Sequence, residues 1–330
     1  MRIIEGKGID PLLWSELVKH SPVATWFQTK EAFDFFENLS FLEAFAFAVE
    51  SNGLKGLVVC YVQKDGGKLK RYFSRRAIIL GGPLLAEDIS KEELRTLLET
   101  LKSQLKRKSI YIETRNFNDY SRWSHVFEGC GFSYEPHLNY LVDCSSEEKI
   151  WSMLKENRKR QIKKAIKEGV SIEGARSEED VLGFYAILQD LYVKKVKKPL
   201  FPAEFFLSFY RNQVGKILLV RDCGKIIGGI LCPILDNRTV YEWFVCGEDS
   251  EYRTKYPSVM ATWAAIDFAT KSGVGYFDFM GAGKPDKEYG VREFKAKFGG
   301  ELVEFGRNIH VCKPLFYNVG KLAVKIMTHL

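Results

Sequence analysis

The chain has 330 residues, of which 46% are hydrophobic and 28% charged, and a formal net charge of +7 at neutral pH. That is the balance of a globular protein with material for one large core or two ordinary ones, and the moderate positive charge favours anionic partners without naming one. It excludes a membrane-spanning chain, since no stretch approaches the roughly 20 apolar residues a bilayer requires; "MRIIEGKGID" also lacks a signal peptide's apolar core, so a cytoplasmic protein is expected.

In chain order, "PLLWSELVKHS" and "QTKEAFDFFENLSFLE" carry helical patterns, and "AFAFAVES", "LKGLVVCYVQK", "KLKRYFSRR" and "AIILGG" read as strands. Turn signals at Asn52-Gly53 and Asp65-Gly66-Gly67 separate them. A helix is predicted from Ser90 to Leu105, with Ser90 as N-cap and Glu93 as its capping-box partner. The strand "SIYIETR", a helix around "DYSRWSHVFEGCG" and the strands "FSYEP" and "NYLVDC" follow. From residue 146 the order repeats. Helices over "SEEKIWSMLKENRKRQIKKAIKEG" and "SEEDVLGFYAILQDLYVKK" precede a meander of "KILLVRD", "KIIGGILCPILD" and "RTVYEWFVCG". A helix over "PSVMATWAAIDFATKSG", the strand "GYFDFMG", a short segment around Lys295 and the strands "GELVEFG" and "NIHVC" complete it. One half echoes the other, as an internal duplication would.

The cysteines and histidines exclude further chemistry. Seven scattered cysteines without a CxxC read as packed, reduced thiols, and five histidines without an HxxH or HxxxH pair encode no local zinc or haem site. No metal is expected. "GAGKPDK" lacks the spacing of a P-loop, and no GxSxG elbow is present.

Three features stand out. In "VREFKAKFGG", Val291, Phe294 and Phe298 share one helical face, Lys295 lies on its edge, and Arg292 and Lys297 point away. Lys295 is then either a snorkelling side chain or a cation held where water is scarce. Between Lys155 and Lys167 seven cations meet one acid, Glu156; Arg160, Lys163, Lys164 and Lys167 cluster opposite a stripe of Trp151, Leu154, Ile162 and Ala165. The cluster is a solvated face or a phosphate-contacting one. Arg158 falls inside the apolar stripe, where an arginine needs a partner or a site.

This order of helices, antiparallel meander, helix, strand, helix and closing strands is that of the GNAT acyltransferase fold. Two such units, the second with "WSMLKENRKRQIKKAIKEGV", "YPSVMATWAAIDFATKSGVGYFDFMG" and "GVREFKAKFGG", resemble the Fem family of non-ribosomal peptidyl aminoacyltransferases, in the compact form without a coiled-coil arm. The resemblance implies an α+β fold of two tandem GNAT-like units, each a mixed, mostly antiparallel sheet flanked by helices: residues 1–145, 146–312, and a helix at 313–330 returning to the first unit. A peripheral membrane contact is a second reading of that amphipathic tail.

The resemblance also implies aminoacyl-tRNA as donor and a nucleotide- or lipid-linked muropeptide as acceptor, with no bound cofactor. CoA is the lesser expectation, because "RTKYPS" puts Tyr256 and Pro257 where a CoA-dependent GNAT turn needs glycine and a free N–H. By position in the family, Lys295 is the catalytic lysine. Lys30, Arg115, Arg158, Lys195, Tyr241 and Glu242 are acceptor-site candidates, and Arg160, Lys163, Lys164, Lys167 and Lys297 tRNA contacts. Tyr241 also fits an ordinary cross-strand aromatic. The family's carboxylate in the first unit has no clear counterpart in "YIETRNF", and Asp278 reads as a strand-end acid. An N-acyltransferase acting on an amino sugar or other small amine, and an RNA-binding module with a degenerate site, are the alternatives.

Overall fold

The computed structural model describes residues 1–63 and 75–329, with residues 322–329 as backbone only. Most of "KLKRYFSRR" and the turn at Asp65-Gly66-Gly67 lie outside the described residues. In chain order the elements are β1 (Arg2–Glu5), α1 (Pro11–His20), α2 (Lys30–Glu37), β2 (Leu42–Glu50), β3 (Leu54–Gln63), β4 (Arg76–Gly81), β5 (Leu84–Leu85), α3 (Lys91–Leu105), β6 (Tyr111–Asn116), α4 (Ser124–Gly129), β7 (Ser133–Glu135) and β8 (Leu138–Asp143). They continue with α5 (Glu147–Met153), α6 (Glu156–Lys167), β9 (Ser171–Gly174), α7 (Glu178–Leu191), α8 (Ala203–Arg211), β10 (Gly215–Asp222), β11 (Lys225–Leu235), β12 (Thr239–Tyr241) and β13 (Phe244–Gly247). The chain closes with α9 (Pro257–Lys271), β14 (Tyr276–Asp278), α10 (Gly290–Ala296), β15 (Glu301–Glu304), β16 (Arg307–Val311) and α11 (Pro314–His329).

The first unit comprises Met1–His137 and Glu304–Leu330. Its sheet runs β1-β2-β3-β4-β6-β16-β7, with β5 against β3; β4 and β6 are parallel, and the other registers are antiparallel. The capping box of Ser90 and Glu93 starts α3, which buries Leu94, Leu97, Leu98, Leu101 and Leu105 against Val58, Cys60 and Ile112. Period and cap agree with the sequence pattern there. Near the start of α11, Tyr317 sets its ring 5.2 Å from that of Tyr111.

The second unit is Leu138–Val303. Its sheet runs β15-β8-β14-β12-β11-β10-β9, with β13 against β11, and β12 and β14 form its parallel pair. Small residues on α9, Ala261, Ala264 and Ala265, let that helix lie close on the sheet, and all three are buried. The fold is thus α+β, with two mixed, mostly antiparallel sheets and helices around each.

Five expectations are corrected. The closing strands are exchanged: β8, expected to end the first unit at residue 145, pairs with β14 in the second, and β16, expected in the second, pairs with β6 and β7 in the first. Alternating apolar residues mark both as strands, but the same alternation fits either sheet. The helix expected over 146–169 is broken, because Leu154 and Lys155 turn extended with ψ of 133° and 146°, and the Lys155 N–H bonds the Lys297 carbonyl. The expected helix over 28–43 ends at Glu37, and its last two residues begin β2. The strand over 238–247 divides at Glu242 and Trp243. Finally, β1, β9 and α8 are additions; α8 buries Phe205, Phe206 and Phe209.

Candidate active site

Strands β12 and β14 run parallel for three residue pairs, ending at Tyr241 opposite Asp278, and one further bond joins the Glu242 N–H to the Asp278 carbonyl. Past this fork β13 pairs with β11 instead. Lys295 reaches the fork from α10. Its ammonium lies 3.0 Å from Glu242 Oε1 and donates to the carbonyls of Phe279 at 2.7 Å and Gly281 at 2.9 Å. Three donors thus meet three acceptors. Lys295 is 8% exposed and Glu242 5%, so the ion pair is inside the protein, and the Phe279 ring lies 5.2 Å from the ammonium. Thr262 donates to the second Glu242 oxygen at 3.2 Å. The snorkelling alternative fails, because the ammonium points inward.

The carbonyls that Lys295 holds belong to a turn the sequence builds with care. Met280 adopts φ +55°, a left-handed conformation that costs a non-glycine residue energy, and Asp278 Oδ1 accepts its N–H at 2.6 Å. Asn139 donates to the same oxygen at 2.7 Å while its own Oδ1 accepts the Gly281 N–H at 2.7 Å. Gly283, at φ +81°, has no room for a side chain, since a Cβ would meet the Tyr289 ring at 2.8 Å. Arg292 does not point away as the helical period predicts. Its Nε donates to the Ala282 carbonyl at 2.9 Å and its Nη2 bonds the Lys284 carbonyl. Val291, expected on the apolar face, is exposed, while Phe298 is fully buried.

Two acids and one cation in so dry a place shift the acids. Burial pushes Asp278, 2% exposed, up to about 6, against the opposing pull of Asn139, Met280 and Lys295. Burial likewise raises Glu242, with Lys295 and Thr262 opposing. A carboxyl that titrates near neutrality can exchange a proton at physiological pH. Sequence reasoning set Asp278 aside and missed Asn139, Thr262 and the role of Arg292. The available signal was an acid within an otherwise apolar run, "YFDF", since a buried carboxylate requires partners.

A second feature lies nearby. Arg158, Gln161, Asp249, Arg253, Tyr256, Val259, Gly290, Glu293, Phe294 and Lys297 line a cavity of about 280 Å³. Asp249 closes one side of it at the start of α9, where its carboxylate accepts the Ser258 N–H at 3.0 Å and the Ser258 hydroxyl. Tyr256, the N-cap, is left-handed at φ +51°, and Pro257 begins the helix. The helix end that a diphosphate needs is therefore filled by an acid of the chain itself.

The remaining predicted residues are dispersed. Tyr241 is buried in the ladder opposite Asp278. Arg160, Lys163, Lys164 and Lys167 are exposed along α6; Lys163 lies 5.6 Å from the Trp151 ring, and Lys164 is 3.7 Å from Glu168. Lys195 is exposed in a π-turn after α7. Lys30 and Arg115 belong to the first unit. Lys30 pairs with Asp34 at 2.6 Å, while Arg115 and Arg307 flank Glu113 at 3.4 and 2.5 Å and, although burial opposes them, hold its carboxyl below the ordinary range. No helix among the described residues is long and apolar enough to cross a membrane.

Residues 153–295 match the family model described as "Acetyltransferase (GNAT) domain". A comparison with curated protein sequences finds no match. Among solved structures, FemX superposes with a TM-score of 0.73 at 15% identity, covering 97% of this chain and 99% of that one. The C-terminal domain of a putative lysylphosphatidylglycerol synthetase from Agrobacterium fabrum gives 0.59 at 10% identity, covering 95% of each chain. A tandem GNAT protein from the clavulanic acid biosynthesis pathway gives 0.61 at 9% identity, over 94% of this chain and 98% of that one. The chain thus carries a GNAT acyltransferase domain over residues 153–295 and has, along nearly its whole length, the two-unit fold shared by FemX and the tandem GNAT proteins.

Proposed function

We propose that the protein transfers an aminoacyl group from aminoacyl-tRNA to the amine of a peptidoglycan precursor peptide, nucleotide- or lipid-linked. The observation that carries this reading within the acyltransferase class is Asp249 at the start of α9. An acyl-CoA enzyme needs that helix end for its diphosphate, whereas here a carboxylate occupies it behind a proline. A donor held elsewhere along its length fits better, and the exposed cations of α6 offer a sequence-independent contact to RNA phosphates. The fold is shared with a domain of a putative lysylphosphatidylglycerol synthetase, whose name implies an aminoacyl group, and this is consistent with the tRNA-donor reading.

In the reaction the acceptor amine attacks the ester carbonyl carbon. A C–N bond forms, the C–O bond to the terminal ribose breaks, and the proton lost by the amine passes to the departing ribose oxygen. The step needs proximity, an uncharged amine and stabilisation of the oxyanion, and requires no metal. Lys295 supplies positive charge through space, since its three N–H groups are committed to Glu242 and the carbonyls of Phe279 and Gly281, which fix its place. Asp278 and Asn139 shape the turn beside it.

A second reading rests on the family model's description as an acetyltransferase domain: N-acylation of an amino sugar or other small amine from acetyl-CoA. Calorimetric titration with acetyl-CoA and, separately, with a UDP-linked muramyl pentapeptide decides between them. Muropeptide binding with no acetyl-CoA binding is the expected result. Micromolar binding of acetyl-CoA without muropeptide binding would replace the first reading with the second.

A further inference from the structure

Three arginines of the first unit converge on one acid. Strands β6 and β16 set Arg115 directly opposite Arg307, and β4 places Arg76 opposite Tyr111, two residues before Glu113. Side chains alternate along a strand, so Tyr111, Glu113 and Arg115 share one face of β6, while Ile112 joins the core packed by α3. Like charges directly opposite on antiparallel strands repel, and an arginine pair in that register needs an anion beside it. Glu113, 4% exposed, is the one carboxylate within ion-pair distance of the three among the described residues. It accepts from Arg307 Nη1 at 2.5 Å and from Arg115 Nη2 at 3.4 Å.

One carboxylate does not balance this group. Glu135, opposite Arg307 on β7, has Lys321 at 3.9 Å, so the four cations Arg76, Arg115, Arg307 and Lys321 stand against two acids. Burial works against both arginines of the opposed pair. Glu113 overcomes it at Arg115, whose pKa is raised, but at Arg307 the like charge of Arg115 adds to burial and the pKa falls. Of the five N–H groups on each guanidinium the structure engages one, and Arg115 Nε is sealed from solvent with no hydrogen-bond partner. The Arg115 and Arg307 side chains are still 30% and 26% exposed, so a solute reaches their outer edges.

We propose that Arg115, Arg307 and Arg76 form a carboxylate subsite on the first unit, in which a ligand's carboxylate takes the outer edges of the guanidinium pair whose inner edges hold Glu113. The planar fork of an arginine matches a planar carboxylate, and Glu113 shows the pair already holding one. A phosphate dianion would set two charges beside Glu113 where a carboxylate sets one. On the acceptor reading given above, on which this assignment rests, the ligand is the muropeptide, recognised here by a free carboxylate of its peptide and not by its diphosphate. Arg115 alone was visible in the sequence; the registers of β16 and β4 add Arg307 and Arg76.

The test is calorimetric binding to the full chain of three probes at low salt: UDP-linked muramyl pentapeptide, citrate as a carboxylate independent of the acceptor reading, and UDP-N-acetylglucosamine as a diphosphate without a carboxylate. Arg307→Gln is compared with wild type after its melting curve shows a folded protein, and Arg76→Gln, which leaves both ion pairs of Glu113 intact, is the second variant should Arg307→Gln not fold. Muropeptide and citrate affinities are expected to fall at least about tenfold in Arg307→Gln and several-fold in Arg76→Gln, while any UDP-N-acetylglucosamine binding stays the same. If citrate binding falls in this way and the wild type does not bind the muropeptide, the subsite stands and the acceptor reading is lost. A loss that falls equally on UDP-N-acetylglucosamine would make the anion a phosphate and overturn the carboxylate assignment. Folded variants that bind every probe as wild type does, or a wild type that binds neither the muropeptide nor citrate, would leave the arginines as a structural ion-pair group and overturn the subsite.

Discussion

Lys295 and Glu242 hold one another in place, and each would be left charged and buried without the other. Breaking such a pair from one side costs about 3–5 kcal/mol, whereas removing both charges costs far less. Urea denaturation of Lys295→Met, Glu242→Gln and the double variant should therefore show two large single losses and a double loss well below their sum; additive losses would deny the coupling. Asp278 gives a signature in pH. Its folded pKa, about 6, lies above the ordinary aspartate value of 3.8, so the folded chain binds the proton more tightly than the unfolded one. The resulting stability, about 3 kcal/mol, is fully present below about pH 4 and is lost as pH rises through about 6. Wild type should lose it across that window and Asp278→Asn should not, and equal pH profiles would contradict the assignment. At this scale the sequence made Lys295 visible, as a lysine among phenylalanines. It hid Arg292 and Asp278, because a helical period describes an isolated helix and cannot register carbonyls that a neighbouring turn brings over it.

Helix α10 acts as a clamp on the turn at 279–284: Lys295 takes two of its carbonyls and Arg292 two more. Arg292→Ala should remove the side-chain donor from the buried Ala282 carbonyl, cost about 1–3 kcal/mol, and speed amide exchange at Met280 to Gly283 more than in the core of α9. Unchanged exchange there would show that the turn needs no clamp. The length and cap of α3 were legible from Ser90, Glu93 and the leucine period. The break between α5 and α6 was not, since Leu154 and Lys155 carry no breaker signal. Tertiary structure imposes it, through the bond from Lys155 to Lys297 and the close approach of Gly299, where a Cβ would lie 2.7 Å from Met153.

The exchanged closing strands make each unit depend on both parts of the sequence. Residues 1–145 lack β16 and residues 146–330 lack β8, so each fragment exposes a sheet edge that the whole chain pairs. Expressed alone, neither fragment should show a cooperative melting transition, and mixing the two should restore one; independent folding of either would contradict the exchange. The duplication was legible in the order of the elements, because each half repeats the same periods. Which strand completes which sheet was not, since alternation states that a segment is a strand and not whom it pairs with. The chemistry of the whole molecule is tested most directly by single-turnover transfer from radiolabelled aminoacyl-tRNA to a UDP-linked muramyl pentapeptide, run beside acetyl-CoA as donor. The account predicts labelled peptide from the tRNA donor alone, with a rate at least about a hundredfold lower in folded Lys295→Ala. Transfer from acetyl-CoA and none from tRNA, or a Lys295→Ala protein as fast as wild type, would contradict it.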